Sequence, residues 1–168
     1  CLDKTGTITT GEISYAGLEP LGGIREEDAA AALGAMAGAD PSPNPTLAAI
    51  AAAHGDPGWS VDVALPFSSA RKWASAMFAE HGLHHLGAPE ILLSDDTDAR
   101  ARVAAHAEEG RRVLALTRSA ESSTNPESLP AVREPIALVL LEDTVKPDAP
   151  EILGFFVEQG LQLKGISG

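Results

Sequence analysis

Near its start the chain places a carboxylate, a lysine, two hydroxyls and a glycine in five consecutive positions, Asp3-Lys4-Thr5-Gly6-Thr7. An aspartate is fully ionised at neutral pH and is a workable nucleophile toward phosphorus. Because two anions repel, such an attack needs Mg²⁺ and a lysine to neutralise the group in transfer. Lys4 either holds the chain locally or reaches a phosphate, and Thr5 and Thr7 supply hydroxyls. Gly6 lets backbone N–H groups approach phosphate oxygens closely. The plainer alternative is a Gly-Thr turn after a strand, with Asp3 capping it.

The elements that must position this segment follow from pattern and turn chemistry. The opening residues should end a strand, and residues 13–18 form another, broken by Pro20 and Gly22-Gly23. Residues 25–37 are Ala-rich, with Glu26, Glu27 and Asp28 complementing the helix dipole in the first turn. After the loop 40–45, Thr46 is expected to cap a second helix running to about His54. Residues 61–65 read as a strand, and 72–79 with 82–86 as a strand pair joined by a turn. A helix over 98–109 stops at Gly110, a strand follows over 112–117, and 119–130 is a Ser-, Glu- and Pro-rich surface loop. Residues 136–141 read as a buried strand, 148–159 as a helix and 161–166 as a further strand.

The closing strand–helix–strand order suits a parallel unit, whereas the middle suits an antiparallel sheet with helices packed on it. The expected fold class is therefore α/β with an α+β insert: a parallel sheet opened at Asp3, interrupted, and resumed near Ile136. The corresponding division is residues 1–10, an insert over 11–134, and 135–168.

Composition narrows the function. Of 168 residues, 44% are hydrophobic but only 4% aromatic, so the core must rest on Ala, Leu, Val and Ile. A net charge of −12, spread along the chain, argues against nucleic-acid partners. A nucleotide would need local cations and Mg²⁺. The single cysteine, Cys1, excludes an internal disulfide and a cysteine-based zinc site. No apolar run approaches the ~20 residues needed to span a bilayer. His81, His84 and His85, around a tight turn, are expected to face solvent rather than bind metal.

Asp3-Lys4-Thr5-Gly6-Thr7 resembles the phosphorylation motif of P-type ATPases, ion pumps that pass through an aspartyl-phosphate. The resemblance makes Asp3 the phosphoryl acceptor, with Asp3 and the Thr5 carbonyl contributing to Mg²⁺. Related haloacid dehalogenase-type phosphatases usually carry an acid–base Asp where Thr5 stands, so the phosphorylated form should persist here. Asp143-Thr144-Val145-Lys146-Pro147 is similar to the family's Asp-x-x-(Arg or Lys)-Pro element, which implies a hinge and ribose role for Asp143 and a supporting one for Lys146. Ser167 and Gly168 resemble the start of the Thr-Gly-Asp element, with Ser167 offering its hydroxyl to phosphoryl oxygens.

Within the insert, Pro66-Phe67-Ser68-Ser69-Ala70-Arg71-Lys72 resembles the nucleotide-binding stretch of the calcium-pump-like branches. The resemblance assigns Phe67 to stack on adenine and Lys72 to line the pocket. Gly87-Ala88-Pro89-Glu90 looks like a segment whose Gly-Ala lets backbone come close to adenine, and Arg112 matches an arginine that touches the β-phosphate. Two family residues are missing: a lysine is replaced by Leu86, and an adenine-facing glutamate by Leu47. These changes imply weaker, more apolar nucleotide binding. The heavy-metal branch fits less well, because Ser42-Pro43-Asn44-Pro45 lacks its histidine.

The chain is thus expected to be the ATP-binding and phosphorylation portion of a cation-transporting P-type ATPase. ATP and Mg²⁺ would be its cofactors, and the pump's transmembrane and actuator domains its partners. It would lie on the cytoplasmic side of the plasma membrane, would not itself bind the transported cation, and alone would not turn over ATP. Rival readings are a stand-alone dehalogenase-type phosphatase, which wants an acid at position 5, and a non-catalytic nucleotide-binding module.

Overall fold

The computed structural model describes residues 2–3, 9–119, 127–145 and 165–166. Its centre is a six-stranded antiparallel sheet of β2 (Thr9–Pro20), β3 (Val61–Leu65), β4 (Trp73–Phe78), β5 (Gly82–Gly87), β6 (Arg112–Ser119) and β7 (Glu134–Val145). The strand order is β2-β7-β6-β5-β4-β3. A separate parallel pair joins β1 (Leu2–Asp3) to β8 (Gly165–Ile166), with Asp3 opposite Ile166.

Alternation along the strands feeds two cores. Leu86, Leu116, Val139 and Leu141 point to the face covered by α1 (Glu26–Gly38) and α2 (Pro45–Ala53). Trp73, Ala115 and Leu138 point to the other, where α3 (Pro89–Leu92) and α4 (Thr97–Glu108) supply Leu92 and Ala99. With few aromatics available, α1 packs closely through small residues: Ala29, Ala32, Ala35 and Ala37 are all buried. Gly34 completes that surface, since a Cβ there would lie 2.3 Å from the Gly55 carbonyl oxygen.

Four features depart from the sequence expectations. The α2 cap is Asn44, whose Oδ1 accepts from Leu47 N–H at 2.9 Å. Pro45, lacking an N–H, then occupies the first helical position, so Thr46 falls inside the helix. Residues 136–141 do not resume the parallel sheet opened at Asp3: they lie in β7, antiparallel to both β2 and β6. A continuous apolar run signals burial on both faces, and helices cover both faces of this antiparallel sheet too. Residues 13–18 are the middle of a longer β2, an edge strand that tolerates Pro20 at its end.

The fourth concerns the histidines. His84 and His85 are 2% and 0% exposed, because β5 is an interior strand and its successive residues enter opposite cores. His84 packs edge-on to Phe78, and His85 edge-on to Trp73. Burial pushes both imidazoles down to about 4. Only His81 of the three is exposed, stacked on Trp59 at 3.6 Å.

The expected helix over 148–159 and the loop residues 120–126 lie outside the described residues. Among the described residues no helix is long and apolar enough to cross a membrane, and no cluster of His, Cys, Asp and Glu is arranged to hold a metal.

Candidate nucleotide site

A cavity of about 110 Å³ opens on the α1/α2 face where the first turn of α2 meets β4, β5 and β6. Its walls are Leu47, Ala74, Leu86 and Leu114, with Gly87 beside them and Phe67 at the rim. Phe67 is 43% exposed, unusual for a phenylalanine, and lines the cavity mouth. Sites that enclose a whole drug-sized ligand run to about 300–1,000 Å³. This one is sized for a flat ring, with the rest of the ligand outside.

The α2 cap helps set the cavity's shape. Asn44 spends its carbonyl oxygen on Leu47 N–H, which fixes the helix start from which Leu47 projects. Asn44 and Thr46 are the polar side chains among the lining residues, and no lining residue is charged. Leu47 and Leu86, the two positions that depart from the family pattern, sit together in its wall.

Gly87 has a second duty. A Cβ there would lie 2.4 Å from the Lys72 carbonyl oxygen and 2.5 Å from Trp73 Cα. The missing side chain lets the backbone of 72–73 lie against the end of β5, where Ala88 N–H donates to the Lys72 carbonyl at 2.9 Å. Lys72 itself adopts a left-handed backbone, φ 66°, and its Nζ lies 3.7 Å from Glu90 Oε1. Neither Lys72 nor Ala88 lines the cavity.

Arg112 stands two residues before Leu114 on β6, hence on the same face and about 7 Å further along. Its Nε lies 3.3 Å from Oδ1 of Asp143, whose side chain is 12% exposed. The neighbouring pair is braced from the other face. Arg111 Nε reaches Glu142 Oε1 at 3.1 Å, while Glu19 accepts from Arg102 and contacts His106 on α4. The His106 contact, then Arg102, hold the Glu19 carboxyl below the ordinary range. The apolar cavity therefore leads along one sheet face to a single, counter-paired guanidinium.

A larger cleft of about 360 Å³ lies elsewhere, between α4 and the 131–135 segment. Asp95, Asp96 and Asp98 line it, and Arg133 there donates to the Ile91, Leu92 and Pro130 carbonyls. That wall repels phosphate. It contains none of the residues singled out from sequence.

Of those residues, Phe67 and Gly87 meet at the cavity, and Arg112 meets Asp143. Asp3 lies in the parallel pair, one position before Lys4 and opposite the residue that precedes Ser167. Lys4, Thr5, Thr7, Lys146, Ser167 and Gly168 lie outside the described residues. Sequence reasoning missed Asn44, Ala74 and Leu114, although Asn-Pro before an apolar run was available as a cap signal.

No known family model matches the chain. Calcium-transporting ATPase CtpE of Mycobacterium tuberculosis (strain CDC 1551 / Oshkosh) is 40% identical over 170 residues, covering 100% of this chain and 21% of that protein. Probable cation-transporting ATPase exp7 of Streptococcus pneumoniae serotype 4 is 37% identical over 173 residues, covering 100% and 22%. Over its whole length the chain is similar in sequence to cation-transporting P-type ATPases.

The chain spans about a fifth of the length of these curated relatives. Two solved structures of a zinc-transporting PIB-type ATPase match 98% of this chain and 24% of theirs. Their TM-scores are 0.63 and 0.66, at 20% and 19% identity, a likeness of fold alone.

Proposed function

We propose that the chain is the nucleotide-binding and phosphoryl-accepting part of a cation-transporting P-type ATPase, calcium-pump-like in its nucleotide site. One observation carries the reading: an apolar, ring-sized cavity with Phe67 at its rim and the Gly87 backbone at its edge has a Leu114 wall that shares one face of β6 with Arg112.

Adenine enters the cavity with Phe67 on its face, and base–aromatic stacking contributes about 1–3 kcal/mol. The phosphates then run outward along β6 toward Arg112, whose charge Asp143 balances in their absence. Lys72 and the Gly87-Ala88 backbone flank the entrance. In the intact pump, closure about the hinge at Asp143 and Lys146 brings the terminal phosphate to Asp3. The carboxylate attacks phosphorus, the bond to the leaving oxygen breaks, and ADP departs.

Asp3 and the Thr5 carbonyl would hold Mg²⁺, which would supply charge neutralisation there. By the same resemblance, Lys4, Thr7, Ser167 and Gly168 would serve the transferred phosphoryl group. Thr5 cannot act as a general acid near pH 7, so the acyl phosphate outlives its formation and a conformational change can intervene. The transmembrane and actuator domains of the same protein use that interval to move the cation, with this part on the cytoplasmic side of the plasma membrane. Only in the full-length protein is ATP hydrolysis completed.

The test is radiolabelled ATP and Mg²⁺ given to the full-length protein. We expect an acid-stable, hydroxylamine-labile label that Asp3→Asn abolishes. A label that persists in that variant would remove Asp3 from the chemistry.

A further inference from the structure

We propose that Arg71 is a positioning residue for Phe67, holding the aromatic ring at the rim of the cavity before any ligand arrives. This rests on the nucleotide reading above, but its structural half stands by itself.

Phe67 sits in the turn between β3 and β4, half-exposed, where a free loop would let its ring swing away. The Arg71 guanidinium prevents this from two sides. Its Nη2 donates to the Pro66 carbonyl at 2.7 Å, so the bond lands on the peptide from which Phe67 departs. The same guanidinium lies 5.6 Å from the centre of the Trp73 ring, within cation–π range. Trp73 is 5% exposed and belongs to the core under α3 and α4, so it is a rigid platform. One side chain thus ties the Phe67 peptide to the opposite core.

The rest of the turn is closed by its own backbone. Lys72 N–H donates to the Ser68 carbonyl at 2.6 Å, and Ala70 N–H to Ser68 Oγ at 3.3 Å. The space vacated at Gly87 seats the end of the turn against β5. These contacts shape residues 68–72, whereas Arg71 is what reaches back to residue 66. A ring ordered in advance binds tighter, because its immobilisation cost of about 0.5–1.5 kcal/mol is met during folding.

Arg71 could instead touch phosphate, and adenosine separates the two roles because it has none. Titration calorimetry with adenosine and with ATP should be run on this chain, on Arg71→Gln and Arg71→Lys, on Phe67→Ala and on the double variant. Arg71→Gln should weaken both ligands by the same factor, about three- to tenfold. Arg71→Lys should recover part of that loss, and in the Phe67→Ala background the effect should vanish. A loss confined to ATP, an equal loss without Phe67, or no loss would each overturn the assignment.

If the unsubstituted chain binds neither ligand, the nucleotide reading fails, and backbone ¹⁵N relaxation of residues 67–71 still decides this one. Greater picosecond–nanosecond mobility in Arg71→Gln supports it, and unchanged mobility overturns it.

Discussion

The two ends of the candidate site are built on different physics. At the cavity end, Leu47, Leu86, Leu114 and the Phe67 ring act by shape and by excluding water, and no lining residue is charged. At the other end, Arg112 meets Asp143, while the neighbouring pair, Arg111 with Glu142, lies on the opposite face. The Arg112 side chain is 51% exposed, so solvent and salt screen its charge. Recognition of a ring should therefore be insensitive to ionic strength, and recognition of phosphate sensitive to it. The same division explains why the cavity tolerates leucine where relatives of the calcium-pump-like branch are expected to carry polar groups. A dry wall retains affinity for a flat ring while giving up selectivity.

The largest effect expected on this contrast comes from pH, through the dry sheet beneath the cavity. His84 and His85 enter opposite cores and titrate at about 4, below the 6.5 of an exposed imidazole. Their folded-state pKa is lowered, so between pH 6.5 and 4 the unfolded chain binds more protons than the folded one. Stability falls as pH drops through that window, by on the order of 3 kcal/mol per ring. Urea unfolding at pH 7 and pH 4.5 should show the loss, and His84→Phe or His85→Leu should flatten it. An unchanged slope in both variants would mean that the rings are wetter than the fold implies.

Next comes the joint between cavity and loop. Gly87→Val drives two methyls into the backbone of 72–73 and should cost about 1–3 kcal/mol of stability, read from a lowered urea midpoint. It should also weaken adenosine and ATP together. If stability stays level, the close approach at Gly87 does not govern how the turn is seated.

The smallest effect is the most diagnostic. Arg112→Ala should leave adenosine affinity unchanged and weaken ATP by about 1–2 kcal/mol at low salt, with the difference shrinking at high salt. Phe67→Ala should do the reverse, weakening both ligands at every ionic strength. Equal salt dependence for the two variants would erase the distinction between the ends.

How much was legible beforehand varies by element. The helix starting near residue 26, the hairpin 73–87 and the strand beginning at Arg112 follow from local composition and turn residues, and each lies within a residue or two of its expectation. The pairing of Phe67 with Gly87 rested on matching motifs, and the fold brings them to one cavity. The antiparallel pairing of β7 could not be read, because an apolar run reports burial and carries no direction. The histidines were misjudged for a related reason. Proximity to a turn suggests exposure, yet β5 has a strand on each side and a core on each face.

Residue types and spacings alone determined the chemistry on offer: a lone carboxylate beside Lys-Thr-Gly-Thr, an aromatic ahead of Arg-Lys, and an arginine opening a strand. They also settled most of the local structure, since helix and turn preferences act over a few residues. Tertiary structure decided which groups meet. Arg112 faces Asp143 across the neighbouring strand β7, and Leu47, Leu86 and Leu114 converge on one hollow, through strand order and register. Those depend on how two cores fill simultaneously, a condition on the whole chain that no short stretch of it encodes.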